Sequence, residues 1–235
     1  IDGDIYHPGL HASVYELASR LNGQNFYIDE KRPQLISIAG LIGAGKSTLA
    51  KRIADRLSGY LIGEAYDTNP YLPQVYAGNK ELALKSQLYF LKSRAQQLNP
   101  EVLNPADIYV SDYVFEKDHI FAQSTLNPAQ WAEYLRHYSD TASSVISPVL
   151  VIYLKASAEF CLERIHKRNR PYEQSIEAES LEHLGDKYGE LFKYWEKSPV
   201  ITVDVEEFDS LNDSELEDLV RQIRPYVYTK SDQSG

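Results

Sequence analysis

From Gln34 onward, short apolar runs alternate with longer segments of helical periodicity. Leu35–Ala39, Tyr60–Gly63, Ile108–Ser111, Val149–Leu154 and Val200–Val203 are brief, rich in β-branched or aromatic residues, and bounded by polar or turn residues, so they read as strands. Lys46–Leu57, Lys80–Leu98, Pro128–His137, Ala158–Arg168, Ser180–Trp195 and Asn212–Ile223 repeat apolar positions every three to four residues and read as helices. Short apolar strands separated by helices predict an α/β fold, a parallel five-stranded sheet covered on both faces. Residues 1–33 read as an N-terminal extension. A short amphipathic helix over His11–Leu21 places Val14, Leu17, Ala18 and Leu21 on one face, and a polar connector ends at Pro33. Residues 34–228 form one domain and 229–235 a polar tail.

The composition changes this picture little but excludes several classes. Hydrophobic residues make up 43% and charged ones 25%, as in ordinary globular proteins. No apolar stretch approaches the ~18 residues of a membrane span. The opening Ile1-Asp2-Gly3-Asp4 is neither basic nor followed by an apolar core, so no signal peptide is expected. Methionine is absent even at position 1, which points to a chain trimmed from a longer protein. One cysteine, Cys161, excludes an internal disulfide framework and fits a reducing, cytoplasmic setting. A net charge of −10 argues against a phosphate-backbone footprint, hence against a nucleic-acid partner. Small anions need only a local basic cluster, and Arg164-Ile-His-Lys-Arg168-Asn-Arg170 supplies one.

The most specific signal follows the first strand. Gly40-Leu-Ile-Gly43-Ala44-Gly45-Lys46-Ser47-Thr48 carries the G-x-x-x-x-G-K-[ST] pattern and runs into a helix. Its glycines let backbone N–H groups wrap phosphates, and the helix N-terminus adds a favourable dipole. Lys46 would reach the outer phosphates and the Ser47 hydroxyl would hold Mg²⁺. Nucleotide binding follows, with ATP as the expected donor.

A phosphate loop alone does not separate a kinase from a GTPase or a motor. Around it, Ile36-Ser-Ile-Ala-Gly-Leu-Ile-Gly-Ala-Gly-Lys-Ser-Thr-Leu-Ala resembles the deoxynucleoside kinase family. The likeness continues through Gly63-Glu64-Ala65, Asn69-Pro70-Tyr71-Leu72, Ser86-Gln87-Leu88-Tyr89-Phe90-Leu91 with Arg94, and Arg168-Asn169-Arg170-Pro171-Tyr172-Glu173-Gln174. It covers about residues 34–205 and implies a P-loop kinase fold with an arginine-rich lid. By that resemblance Glu64 is the general base for the 5′-hydroxyl, and Gln87 pairs with the base, supported by Arg94. Tyr76 and Glu173 hold the 3′-hydroxyl. Arg168 and Arg170 are lid arginines, and Arg164 joins the donor site less specifically.

Several of these assignments have independent physical sense. Glu64 sits past a strand end, where an open α/β sheet places ligand groups. Gln87 and Arg94 stand seven apart and so share a helix face, and an amide offers donor and acceptor together. Arg164 and Arg168 share a face at i,i+4, whereas Arg170, before Pro171, is pushed out of the helix. Cys161 lies inside a helix pattern as a buried, inert thiol. His166 and His183 read as surface residues.

One departure is informative. After the third strand the family has an acidic residue followed by Arg-Ser, whereas this chain has Ser111-Asp112-Tyr113. Aligned without gaps from Ile120-Phe121-Ala122, Ser111 takes the acidic position; a one-residue shift gives it to Asp112, as a group near Mg²⁺ and substrate. In either alignment the arginine is missing. Lys117 could donate to guanine O6 and N7, and Asp118 could accept from a purine amino group. The sequence therefore predicts transfer of the γ-phosphate of ATP to the 5′-hydroxyl of a deoxynucleoside, with purines preferred, and the resemblance implies a homodimer. A nucleoside monophosphate kinase and a non-catalytic kinase-like subunit are the alternatives.

Overall fold

The computed structural model describes residues 32–105 and 107–228. The expected helix at His11–Leu21 and the polar tail lie outside them. Five strands form one parallel sheet: β1 (Gln34–Gly40), β2 (Tyr60–Ile62), β3 (Ile108–Ser111), β4 (Leu150–Lys155) and β5 (Val200–Asp204), in the order β2-β3-β1-β4-β5. Every residue of β1 is buried, as expected of a central strand covered on both faces. Alternation divides its side chains: Ile36 and Ile38 join one core with Val110, Leu150 and Ile152, and Leu35 joins a second with Leu91, Leu98 and Tyr134.

Eight α-helices connect and cover the strands among the described residues. They are α1 (Lys46–Arg56), α2 (Leu72–Tyr76), α3 (Ala83–Gln97), α4 (Lys117–Thr125), α5 (Pro128–Ala142), α6 (Ala158–Arg168), α7 (Ala178–Lys193) and α8 (Asp213–Ile223). The five predicted strands and six predicted helices are all present, with ends shifted by a few residues and α5 longer by about one turn. The segment Lys80–Leu82 is a 3₁₀ turn, with the α-helix starting only at Ala83. Two helices were not foreseen. α2 is a single short turn, and α4 hides its period because Lys117 and Asp118 are buried beside Ile120 and Ala122. A helix whose inward face is charged shows no apolar stripe.

The topology decides where chemistry can gather. β1, β2 and β3 are parallel neighbours with their C-terminal ends in register: Ser37 and Ile62 both pair with Ser111. The loops leaving these strands therefore meet at one edge of the sheet, and they carry the phosphate loop, Glu64 and Asp112.

Candidate active site

The phosphate loop is shaped by left-handed glycines. Gly43 has φ +90°, and a Cβ there would stand 2.5 Å from the Cys161 carbonyl oxygen, so only glycine fits. Gly45 has φ +96° and directly precedes α1, whose first turn holds no acidic residue and no side-chain cap. The leading N–H groups of that helix are therefore open to an anion. The Arg164 guanidinium lies over the loop, its Nη2 only 3.2 Å from where a Gly45 Cβ would be. Lys46 is half-buried because its ammonium folds back to donate to the Leu41 carbonyl at 2.7 Å. Burial, with the nearby Lys117 charge, lowers its pKa to about 8. Cys161 is buried beneath this loop, and burial raises its thiol pKa to about 11, so it is inert as expected.

At the end of β3, Ser111 and Asp112 face different surroundings. Ser111 is the last residue of β3 and points inward, donating to the Tyr113 carbonyl at 2.6 Å and lying 3.0 Å from the Ser37 hydroxyl. Asp112 lies just past the strand and turns toward the phosphate loop. One of its carboxylate oxygens accepts from the Ser47 hydroxyl, and the other accepts from the Glu64 backbone N–H at 2.9 Å. A hydroxyl and a carboxylate in contact are hard oxygen donors of the kind Mg²⁺ takes, with phosphates and water completing its shell.

Beside the loop opens a cavity of about 440 Å³. Glu64, Tyr66, Tyr76, Gln87, Arg94 and Lys117 are among its polar lining, while Phe90, Phe121 and Leu184 contribute apolar wall. Gln87 and Arg94 indeed share the inward face of α3, both buried. Thr125 accepts from the Gln87 amide at 3.1 Å and fixes its orientation.

Glu64 is buried and doubly paired. Arg94 donates to Oε1, and Lys117 donates to Oε1 at 2.8 Å and Oε2 at 2.9 Å. Burial alone would raise the Glu64 pKa, but the two cations outweigh it and hold the carboxyl down at about 2. Arg94 also donates to Asp118, and its guanidinium lies 4.8 Å from the Phe90 ring and 5.5 Å from the Tyr113 ring. Asp118 is fully buried, one carboxylate oxygen has no hydrogen-bond partner, and burial raises its pKa to about 6. This corrects the expected reading of the base by Lys117 and Asp118. The lysine is committed to Glu64 and the aspartate to Arg94, because each buried charge requires an opposite partner.

The basic segment follows its predicted course. α6 ends at Arg168, Asn169 turns the chain in the left-handed region, and Arg170 is extended before Pro171. Glu173 is buried behind the cavity wall rather than in it, accepting from Arg168 at 2.5 Å and Arg170 at 3.4 Å. Tyr76 lines the cavity, feels the Glu173 charge, and packs its ring on Tyr172 at 5.7 Å. His183 is exposed on α7 at the cavity rim. Sequence reasoning missed Tyr66, Thr125 and the pairing of Lys117. Tyr66 is one of 18 tyrosines and carries no motif of its own.

A parallel sheet whose central strand feeds a phosphate-wrapping loop, with a buried carboxylate where that loop meets a cavity, defines a P-loop phosphotransferase. A deoxynucleoside kinase family model matches residues 36–228, and the chain belongs to that family. It is similar to the deoxyguanosine kinase of Bacillus subtilis (strain 168), 34% identical over 200 residues that span 82% of this chain and 97% of the relative. The deoxyadenosine/deoxycytidine kinase of the same organism is 29% identical over 203 residues, covering 83% and 93%. A solved structure of deoxyadenosine kinase from M. mycoides with bound dATP superposes with a TM-score of 0.70 at 29% identity, over 81% of this chain and 99% of that one. The protein is a kinase that moves phosphate from a nucleotide to a deoxynucleoside.

Proposed function

We propose that the enzyme transfers the γ-phosphate of ATP to the 5′-hydroxyl of a purine deoxynucleoside, giving the 5′-monophosphate. The observation that carries this reading is the position of Glu64, an ionised carboxylate buried where the cavity meets the phosphate loop. A nucleoside seated with its base toward Gln87 and its sugar toward Tyr76 presents its 5′ end to Glu64. A carboxylate with a pKa of about 2 is a weak base, which suits this reaction. In a loose phosphoryl transfer the hydroxyl becomes acidic only as its bond to phosphorus forms, so positioning counts for more than basicity.

On the donor side, the backbone of Gly40, Gly43, Ala44, Gly45 and Thr48 cradles phosphates, Lys46 neutralises their charge, and Arg164 stands over the loop. Ser47 and Asp112 would hold Mg²⁺, which supplies charge neutralisation across the donor phosphates. Arg168 and Arg170 form the lid. Glu173 holds both in place, and they can exchange this carboxylate for phosphate oxygens when a donor is bound. Gln87 and Arg94, on one face of α3, meet the base, and Tyr76 meets the sugar from the cavity wall, with Glu173 behind it.

The match over residues 36–228 supports a kinase domain spanning 34–228, with 1–33 as an extension. A homodimer rests on the family resemblance, and a cytoplasmic setting rests on the single cysteine. No helix among the described residues is long and apolar enough to cross a membrane. Purine preference is supported by likeness to a deoxyguanosine kinase and a deoxyadenosine kinase.

Glu64→Gln tests the reading. Its kcat should fall roughly 10²-fold with a smaller change in acceptor KM, the usual scale for a lost positioned base. Lost affinity at unchanged kcat would make Glu64 a binding residue instead. Measured beside it, kcat/KM for the four deoxynucleosides at saturating ATP should place both purines above thymidine and deoxycytidine. A pyrimidine ranking first would overturn the purine preference.

A further inference from the structure

Lys117 is a buried lysine, 5% exposed, at the first turn of a helix that the apolar pattern does not reveal. Lysine is almost never buried this far unless it is paired, and burying an ammonium is costly. Its partner is Glu64, which it grips at both carboxylate oxygens, 2.8 Å from Oε1 and 2.9 Å from Oε2. The Phe121 ring lies 4.9 Å from the ammonium. The two oxygens of Glu64 are not equivalent. Oε1 accepts from both Arg94 and Lys117, whereas Oε2 accepts from Lys117 alone. Tyr113, next to Asp112, brings no cation to this cluster. Its hydroxyl is spent on Gln97 at 2.8 Å and its ring lies under Arg94.

We infer that Lys117 is the positioning residue for the catalytic base: with Arg94 it occupies Oε1, fixes the plane of the Glu64 carboxylate, and leaves Oε2 as the oxygen that takes the 5′-hydroxyl proton. The inference rests on the role proposed above for Glu64. In the step, the O5′–H proton passes to Oε2 as the O5′–Pγ bond forms. The bond from Pγ to the β,γ-bridging oxygen breaks, and its electron pair leaves with the nucleoside diphosphate. A carboxylate held at three contacts cannot exchange its two oxygens by rotation, so the accepting lone pair stays aimed at the cavity. Without Lys117, Arg94 alone must serve both Glu64 and Asp118, and the carboxylate is free to turn toward it.

A double-mutant cycle between Lys117 and Glu64 is the test, read in kcat and KM, with thermal melting as the control for folding. Lys117→Met should lower kcat roughly 30- to 100-fold while KM for both substrates stays within about 3-fold. Lys117→Arg, which can still donate to both oxygens, should stay within roughly 5-fold of the parent. In the Glu64→Gln background, Lys117→Met should change kcat by less than about 3-fold, because the group it positions is already lost. Should Lys117→Met not fold, Lys117→Gln takes its place in the same cycle. A full loss persisting in the Glu64→Gln background would show that Lys117 acts on something other than the base and would overturn the inference. An undamaged Lys117→Met beside a damaged Glu64→Gln would overturn it alone, whereas an undamaged Glu64→Gln would remove the base reading itself.

Discussion

The donor and acceptor halves of the site are built by opposite means. The donor half is centred on one continuous strand, loop and helix, with arginines of α6 and the turn after it added from outside, and its lysine bonds a carbonyl five residues away. The acceptor half draws on the end of β2, on α2, α3 and α4, and on the start of α7, and its central ion pair joins residues 53 apart. The first half needs backbone conformation: left-handed glycines and open helix N–H groups. The second needs side-chain charges to find partners in a dry interior, where each unpaired group would be costly. A local device tolerates change elsewhere in the chain. A network couples to whatever moves any of its members.

The sharpest break in the donor half is Lys46→Ala. It should lower kcat roughly 10³-fold, the upper scale for losing one preorganised charge donor. The fold should survive, since the ammonium donates its hydrogen bond to the loop's own carbonyl. Steady-state rates and a melting curve check both halves of that expectation, and an unchanged rate would falsify the kinase reading.

The acceptor network is probed by pH. Burial raises Asp118 to about 6, above the ordinary aspartate value near 3.9 in the unfolded chain. Between those values the native state binds the extra proton, so this group's contribution to stability is fully present below about pH 4 and is lost as pH rises through about 6. Relative to Asp118→Asn, the parent should therefore gain on the order of 2 kcal/mol of stability from pH 7 to 4.5. Urea titrations of both proteins at the two pH values measure it, and a difference independent of pH would place the Asp118 pKa in the ordinary range.

The smallest effect belongs to the seam between the halves. Asp112 touches Ser47 of the loop and the Glu64 backbone together. Asp112→Asn should raise the Mg²⁺ concentration for half-maximal rate several-fold, roughly 5-fold, because a hard cation prefers a carboxylate shell. A metal dependence matching the parent would leave Asp112 as a structural brace for the Glu64 loop.

What the residues alone determined follows this division. The sheet, six of the eight described helices, the phosphate loop and the shared face of Gln87 and Arg94 were all legible, because each depends on periodicity or spacing within one segment. The turn of Arg170 out of α6 was legible for the same reason, since Pro171 acts on its immediate neighbour. Only the tertiary structure put Asp112, and not Ser111, against Ser47, because a one-residue shift reverses which face of the strand end meets the loop. It alone turned Lys117 from a supposed reader of guanine into the partner of Glu64, and engaged Glu173 with two arginines behind the cavity wall. Backbone preferences act over a few residues and leave a pattern in the chain. Pairing among buried charges depends on which elements the sheet brings side by side, and no spacing along the chain records that.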